Sequence, residues 1–316
     1  MEAAVQPAPL SGRHKVQQFF AKPAVRRNLE GYLLISPWLL GLLFFTLGPM
    51  VASLILSFTD WDIVREIRFI GMANYRRAFT QDRFFWLALY NTFYYVVGSV
   101  PLRLVLALGL ALLLNQGLPG VKLFRTIFYL PAVTSMVAMA FLWQWILQPR
   151  NGLFNVMLAA FGIPGPGWLS SPDWAKPALI LISLMYLGPQ MVVFLAGLKG
   201  IPETLYEAAD IDGAGTLAKF FRITLPMLSP TIFFNLVTSV ISAFQVFTFV
   251  YVIAGNSGRG PMNSTLVYAM YIYEEAFRLL HMGYASALAY ILFLIVLGLT
   301  LLQLRYSKWV YYEGEQ

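Results

Sequence analysis

Few side chains in this sequence could do chemistry, and their spacing limits which chemistry. There is no cysteine, and neither histidine, His14 or His281, has a partner at ligand spacing. That leaves no thiolate nucleophile, disulfide frame or Cys-based metal site. No G-x-x-x-x-G-K-[ST] run is present to cradle ATP phosphates. Two tight acidic pairs, Asp60/Asp62 and Glu274/Glu275, could supply the carboxylates of a group transfer, but read more simply as solvated loop charges. Arg103 is a lone charge inside a long apolar run, which suits a snorkelling or interface position, with solute contact as the alternative. One pattern is uncharged. Asn235, Ser239, Ser242 and Gln245 recur at spacings of four, three and three, so a helix places them on one face.

The elements that must position these groups are membrane helices. The chain is 59% hydrophobic and 12% charged with a mean hydropathy of +0.66, too apolar for a soluble globule. About 20 residues of helix cross a hydrocarbon core. Runs of that length occur at Tyr32–Phe58, Trp86–Gln116, Thr126–Gln148, Pro177–Leu198, Leu228–Ile253 and Met282–Leu304. These predict an all-α, polytopic membrane protein with six transmembrane helices. In lipid, the Asn235 stripe must then face protein or a watery cavity. Inter-helix hydrogen bonding and contact with a polar solute both remain open for it. Gly152–Gly162 is too short to span and reads as an interfacial helix before the Pro164/Pro166 turn. Residues 1–30 read as a disordered tail, 31–306 as the transmembrane domain and 307–316 as a second tail. No cleavage site is visible near Tyr32–Phe58, so the first helix is expected to stay.

Charge orients the chain. With the N-terminus inside, the cytoplasmic stretches hold 12 Lys and Arg against 9 outside. The basic tail before the first span adds weight to that orientation, which places both termini and residues 199–226 in the cytoplasm. The net charge of +7 is spread over loops that flank spans. It describes a membrane protein rather than a nucleic-acid binder.

The loop at 199–226 has its own physical logic. Pro202 suits a first helical turn, Glu203 suits the positive end of the dipole, and Gly213 supplies the positive φ that ends the helix. A second amphipathic turn, Thr216 to Ile223, leads to Pro226 at the next span. Ala208 and Ala209 permit close approach by a partner, and Glu207 offers it a charge.

Glu207-Ala208-Ala209, then three residues ending at Asp212, Gly213, nine residues and Ile223-x-Leu225-Pro226 resembles the EAA motif of ABC importer permeases. Further resemblances follow in order along the chain: Gly71-Met-Ala-Asn74-Tyr75, Asn91-Thr92, Arg125 to Pro131, Leu195 to Pro202, Gly260 to Thr265 and Gly283 to Ala287. The ending Trp309-Val-Tyr311-Tyr312-Glu313 is similar to that of maltose- and glycerol-phosphate-type subunits with the longer N-terminal part. One departure is the outer turn Ala254–Pro261, longer than the family's usual T-x-G-G-P. That difference bears on contact with a binding protein rather than on the fold.

The resemblance implies a type I ABC importer permease fold in a bacterial or archaeal cytoplasmic membrane, with the core fold at about 86–306. It implies a second permease subunit, two ATPase subunits of which one docks on this chain's coupling helix, and an extracytoplasmic solute-binding protein. ATP and Mg would be bound by the ATPase, with no cofactor in this chain. Glu207, Ala208, Ala209, Asp212, Gly213, Ile223, Leu225 and Pro226 would serve coupling. Related importers bind sugar midway down the helix after the EAA loop. That implies a sugar or polyol path at Asn235, Ser239, Ser242 and Gln245, with Phe244 as a stacking face and Tyr186 and Gln190 flanking Pro189. The competing classes are an ion-coupled secondary transporter, which needs ionisable groups at membrane depth, and a membrane-embedded transferase, which needs paired carboxylates at a membrane face. Without a phosphate-binding loop, the purified chain alone is expected neither to bind nor to hydrolyse ATP. Labelled nucleotide retained at micromolar affinity by the isolated chain would contradict this.

Overall fold

The structure, a computed structural model, describes residues 23–117, 119–255 and 259–311. Contacts divide the chain into two units, Met1–Leu56 and Ser57–Gln316. In the first, α1 (Pro23–Gly41) runs through a π-helical stretch, Leu42–Leu47, into α2 (Gly48–Leu56). Together they provide the apolar span Glu30–Leu56, which displays Leu34, Trp38, Phe44 and Phe45 as a lipid-bathed helix would. The expected disordered tail of residues 1–30 is corrected in part: the chain is already helical at Pro23, whose fixed φ favours a first helical position. Residues 1–22, including His14, lie outside the described residues, as do 312–316 of the second tail.

Among the described residues of the second unit the strands are one short ribbon, β1 (Thr59–Asp60) and β2 (Arg68–Phe69), antiparallel with Thr59 opposite Phe69; the other elements are helices. After α3 (Ala73–Thr80) comes α4 (Arg83–Asn115), 33 residues and about 50 Å long. Its length makes it the hub against which α8 (Pro172–Ser183), α9 (Gly188–Lys199), α13 (Ser229–Phe244) and α15 (Tyr268–Tyr273) pack. Small residues admit those neighbours. A Cβ on Gly98 would stand 2.4 Å from Ile180 Cδ1.

Of the expected spans, Glu30–Leu56, Arg83–Asn115 and Met282–Arg305 (the last being α16) pass as single long, apolar runs. The third is not one helix: α5 (Val121–Val133) meets α6 (Met136–Ile146) at 102°. Thr134 and the N-cap Ser135 have non-helical backbone at that corner, just after Pro131. The fourth breaks by 48° between the 3-10 turn Leu184–Tyr186 and α9. The fifth, Ser229–Ile253, is apolar enough to span but pauses at Gln245–Phe247 between α13 and α14 (Thr248–Ile253). Six spans are reached when each bent pair counts as one. The short interfacial segment forms α7 (Leu153–Ala160), folded back by Asn155, which donates to the Pro149 and Pro166 carbonyls at 2.9 and 3.0 Å.

Polar side chains tie the ends of these helices together. Asp82 caps α4, its Oδ1 accepting from Phe84 N at 2.8 Å and Phe85 N at 3.2 Å. Its Oδ2 accepts from the hydroxyls of Tyr271 and Tyr284. Burial, reinforced by the Asp82 hydrogen bond, pushes the Tyr271 hydroxyl far above its ordinary pKa, so it stays a donor. Asn91 donates to the carbonyls of Asn263 and Leu266 at 3.0 and 3.1 Å, and Thr92 Oγ1 accepts from Tyr268 N at 2.8 Å. Asn74 donates to the Ser57 and Thr59 carbonyls, both at 2.9 Å. Gly283 lets α16 touch the same strand, where a Cβ would stand 2.1 Å from the Thr59 carbonyl oxygen.

Glu274 and Glu275 are not the solvated loop charges expected. Both are buried in the π-helical stretch Glu274–Arg278. Glu274 holds Arg259 at 2.9 Å, and Glu275 holds His281 at 2.9 Å with Arg77 at 3.9 Å. Arg259 beside Glu274 and Arg77 beside Glu275 are the cations that permit the burial.

Replacing Asp82 with Ala removes a helix cap, worth about 0.5–2 kcal/mol, and strands two phenol hydroxyls. The melting temperature of the detergent-purified protein should fall, with Asp82→Asn falling less because the amide oxygen still accepts. Equal melting temperatures for all three proteins would refute this role for Asp82.

Candidate functional site

The loop at 199–226 folds close to expectation. Pro202 sits at the N-cap rather than inside the helix, and α10 covers Glu203–Ile211. Gly213 turns the chain at φ +74°, where Ala214 N donates to Ala209 O at 2.9 Å. α11 (Thr216–Lys219) then passes into a π-helical stretch, Phe220–Thr224, and α12 (Leu225–Met227). Tyr206 Oη and Thr224 Oγ1 share a 2.9 Å hydrogen bond, and Lys219 pairs with Asp210. These contacts fold the loop onto itself and onto the foot of α13.

Its outer surface is apolar where water would be expected to select against it. Ile211 is 88% exposed and Leu217 74%, with Phe221 also exposed. Glu207, Ala208, Asp212 and Pro226 are exposed too, while Ala209, Ile223 and Leu225 are half-buried. Ile223, Tyr206 and Met227 pack against a core of Ala107, Ala111, Met191, Phe194, Leu195 and Leu198. The loop therefore presents an apolar knob with an acidic rim and is seated on the α4–α9 contact.

The second feature is a cavity of about 400 Å³ where α4, the broken fourth span and the pause after α13 meet. Tyr186, Gln190, Ser242 and Gln245 line it, as do Arg103 and Thr248. The predicted stripe thus divides. Asn235 and Ser239 are buried and absent from the lining, with Asn235 Nδ2 unpartnered. Gln245 lies past the end of α13. The stacking role expected for Phe244 is not supported by its position: it is 1% exposed and packs edge-on against Phe93 at 5.1 Å. The α13 face that carries it turns into the core; Phe247 and Phe249 line the cavity instead.

Arg103 also differs from expectation. It does not snorkel to an interface, because the break in the fourth span turns a backbone carbonyl toward it: Nη2 donates to Tyr186 O at 3.5 Å. With the Gln190 amide oriented to match its neighbours, its nitrogen donates to Tyr186 O at 2.8 Å and its oxygen accepts from Arg103 Nη2 at 2.5 Å. An intramembrane charge was visible in the sequence, but the broken helix that turns it into a lining group was not.

The cavity offers amide, hydroxyl and guanidinium groups between aromatic walls, which is the chemistry of holding a polar solute. Among the described residues no group of three or more His, Cys, Asp or Glu could hold a metal ion.

Residues 103–308, which contain the loop and every residue lining the cavity except Tyr95, match the family described as binding-protein-dependent transport system inner membrane component. The chain is 44% identical over 292 residues to the probable ABC transporter permease protein YesP of Bacillus subtilis, covering 92% of this chain and 94% of that protein. It is 38% identical over 284 residues to the lactose transport system permease protein LacF of Rhizobium radiobacter, covering 87% and 93%. Among solved structures it resembles a subunit of a bacterial ABC transporter involved in import of the acidic polysaccharide alginate, with TM-score 0.79, 25% identity and coverage of 94% and 100%. A second structure of a bacterial alginate ABC transporter, in complex with a periplasmic protein bound to alginate pentasaccharide, gives TM-score 0.80, 26% identity and coverage of 92% and 97%. These likenesses do not favour an ion-coupled carrier or a transferase. A multi-pass chain matched over its cavity and its loop belongs to the binding-protein-dependent inner membrane components, the permease subunits of ABC importers.

Proposed function

We propose that this subunit forms, with a second and similar permease, the membrane path for a sugar or related polyol, and that the cavity at Arg103, Tyr186, Gln190, Ser242 and Gln245 is its part of that path. The observation that carries this reading is the convergence of polar groups from the continuous α4, the broken fourth span and the interrupted fifth span on one space between membrane helices. Hydroxyl-rich solutes need donors and acceptors with nearby aromatic faces, and this space has both. The lactose relative and the alginate structures support a carbohydrate cargo. Asn235, Ser239 and Phe244 support the wall from behind.

Two ATPase subunits sit below the permease pair, one of them docked on this chain's knob formed by Ile211, Leu217 and Phe221. Glu207, Ala208, Ala209 and Asp212 contact the ATPase, Gly213 sets the turn, and Ile223, Leu225 and Pro226 seat the loop on the bundle. A solute-binding protein delivers cargo from outside, and both termini lie in the cytoplasm. ATP and Mg act in the ATPases, whose closure moves the docked helices and opens the path outward; hydrolysis returns it inward. Residues 31–306 are the transmembrane domain that performs this cycle.

Coupling is tested with Glu207→Ala and Gly213→Pro in assembled transporter. Loss of a charge at a desolvated contact costs about 2–5 kcal/mol, and proline cannot adopt the φ of +74° at position 213. Both variants should insert normally yet lose uptake and solute-stimulated ATPase activity. Wild-type uptake in both would remove the docking role.

The path is tested separately with Ser242→Leu and Gln245→Leu, whose side chains open on the cavity and leave the core untouched. Uptake should fall at least tenfold while ATPase co-purification is unchanged. Native rate and selectivity in both would move the path elsewhere.

A further inference from the structure

Arg103 is a cation without a counter-charge. It lines the cavity from the middle of α4, and no Asp or Glu lies within ion-pair distance of it among the described residues. Its protein contacts are the carbonyl of Tyr186 and the amide oxygen of Gln190, both to Nη2, and its buried Nε has no partner. Guanidinium carries five N–H donors in a planar fork, so donors remain after those bonds are made. Removing such a charge from water is unfavourable unless an anion compensates it. A hydroxyl-only solute would leave it uncompensated in a space that the solute itself dries.

The neighbouring groups are compatible with an anion. Gln190 and Tyr186 hold the guanidinium from one side without neutralising it, and the buried Tyr186 hydroxyl has no partner. Gln245 and Thr248 supply uncharged polar groups elsewhere on the lining, where sugar hydroxyls would sit.

We infer that Arg103 selects for a saccharide bearing an anionic group, a carboxylate or a phosphate-like oxyanion, which the Arg103 fork takes as its missing counter-ion. This rests on the cavity being the solute path. Arg forms bidentate bonds with either oxyanion, so both classes are carried into the test.

The test uses the membrane complex of both permeases and both ATPases, reconstituted in nanodiscs without the solute-binding protein, so that the binding read is that of the membrane path. Equilibrium binding is measured for digalacturonate, its dimethyl ester, trehalose 6-phosphate and trehalose. Within each preparation the ratio of acidic to neutral affinity is taken, so a lower yield of folded variant does not alter it. The native transporter should prefer one acidic probe over its neutral match at least tenfold, and the preferred probe identifies carboxylate or phosphate. R103Q should bring that ratio close to one, and R103K should retain part of it. A ratio near one in the native transporter, no binding of any probe, or an unchanged ratio in R103Q would each overturn the assignment. S242W, which fills the cavity, separates the two levels. If it abolishes binding of neutral and acidic probes alike while the native ratio is one, the cavity stands and the charge selection falls. If binding survives in S242W, the path reading itself is wrong and the Arg103 assignment falls with it.

Discussion

Pro189 lacks the N–H that would close a helical turn onto Met185, and its ring crowds that carbonyl. The chain answers with a 3-10 turn at Leu184–Tyr186 and a 48° change of direction into α9. Everything distinctive about the cavity depends on this. A straight fourth span would keep the Tyr186 carbonyl within its own helix, and Arg103 would have no backbone acceptor there. The bend is accommodated by Gly188, whose missing side chain is essential: a Cβ would lie 2.4 Å from the Phe128 carbonyl oxygen and 2.8 Å from Tyr129 Cα. α5 can therefore press against the break and cover backbone that lipid could not satisfy.

The same constraint explains why irregular backbone gathers in one place. The corner at Thr134–Ser135, the break before Gly188 and the pause at Gln245–Phe247 each interrupt a span, and Met136, Pro189 and Gln245 from these places line one cavity. Non-helical backbone at membrane depth is tolerated where it is buried in protein or lines a polar space. Asp82, Asn91 and Asn74 provide the corresponding order at the helix ends by fixing loops through backbone carbonyls and capped amides.

Helix positions and the loop at 199–226 were legible because they rest on local rules: runs of apolar residues, Pro and Gly at helix ends, and charge placement. Gly213 is the clearest case, since the positive φ was read from its type and place. The tertiary consequences were not legible. Glu274 and Glu275 looked like loop charges because their partners, Arg259, Arg77 and His281, are brought near only by folding. Phe244 looked like a wall of the path because helical spacing gives a face but not the direction it turns. Arg103 was misplaced for a related reason: periodicity assumes continuous helices, and its site exists where one is broken.

The hydroxyl of Thr224 meets Tyr206 of α10 while its backbone lies in the π-helical stretch that leads to α13. Lys219, paired with Asp210, closes a second link across the same loop. A hinge here would absorb displacement, as a soft spring does, before it reached the bundle. Two cross-braces would make the loop a bell-crank instead: a push at its tip would reach the base of α13 as leverage, with little of the stroke lost to bending.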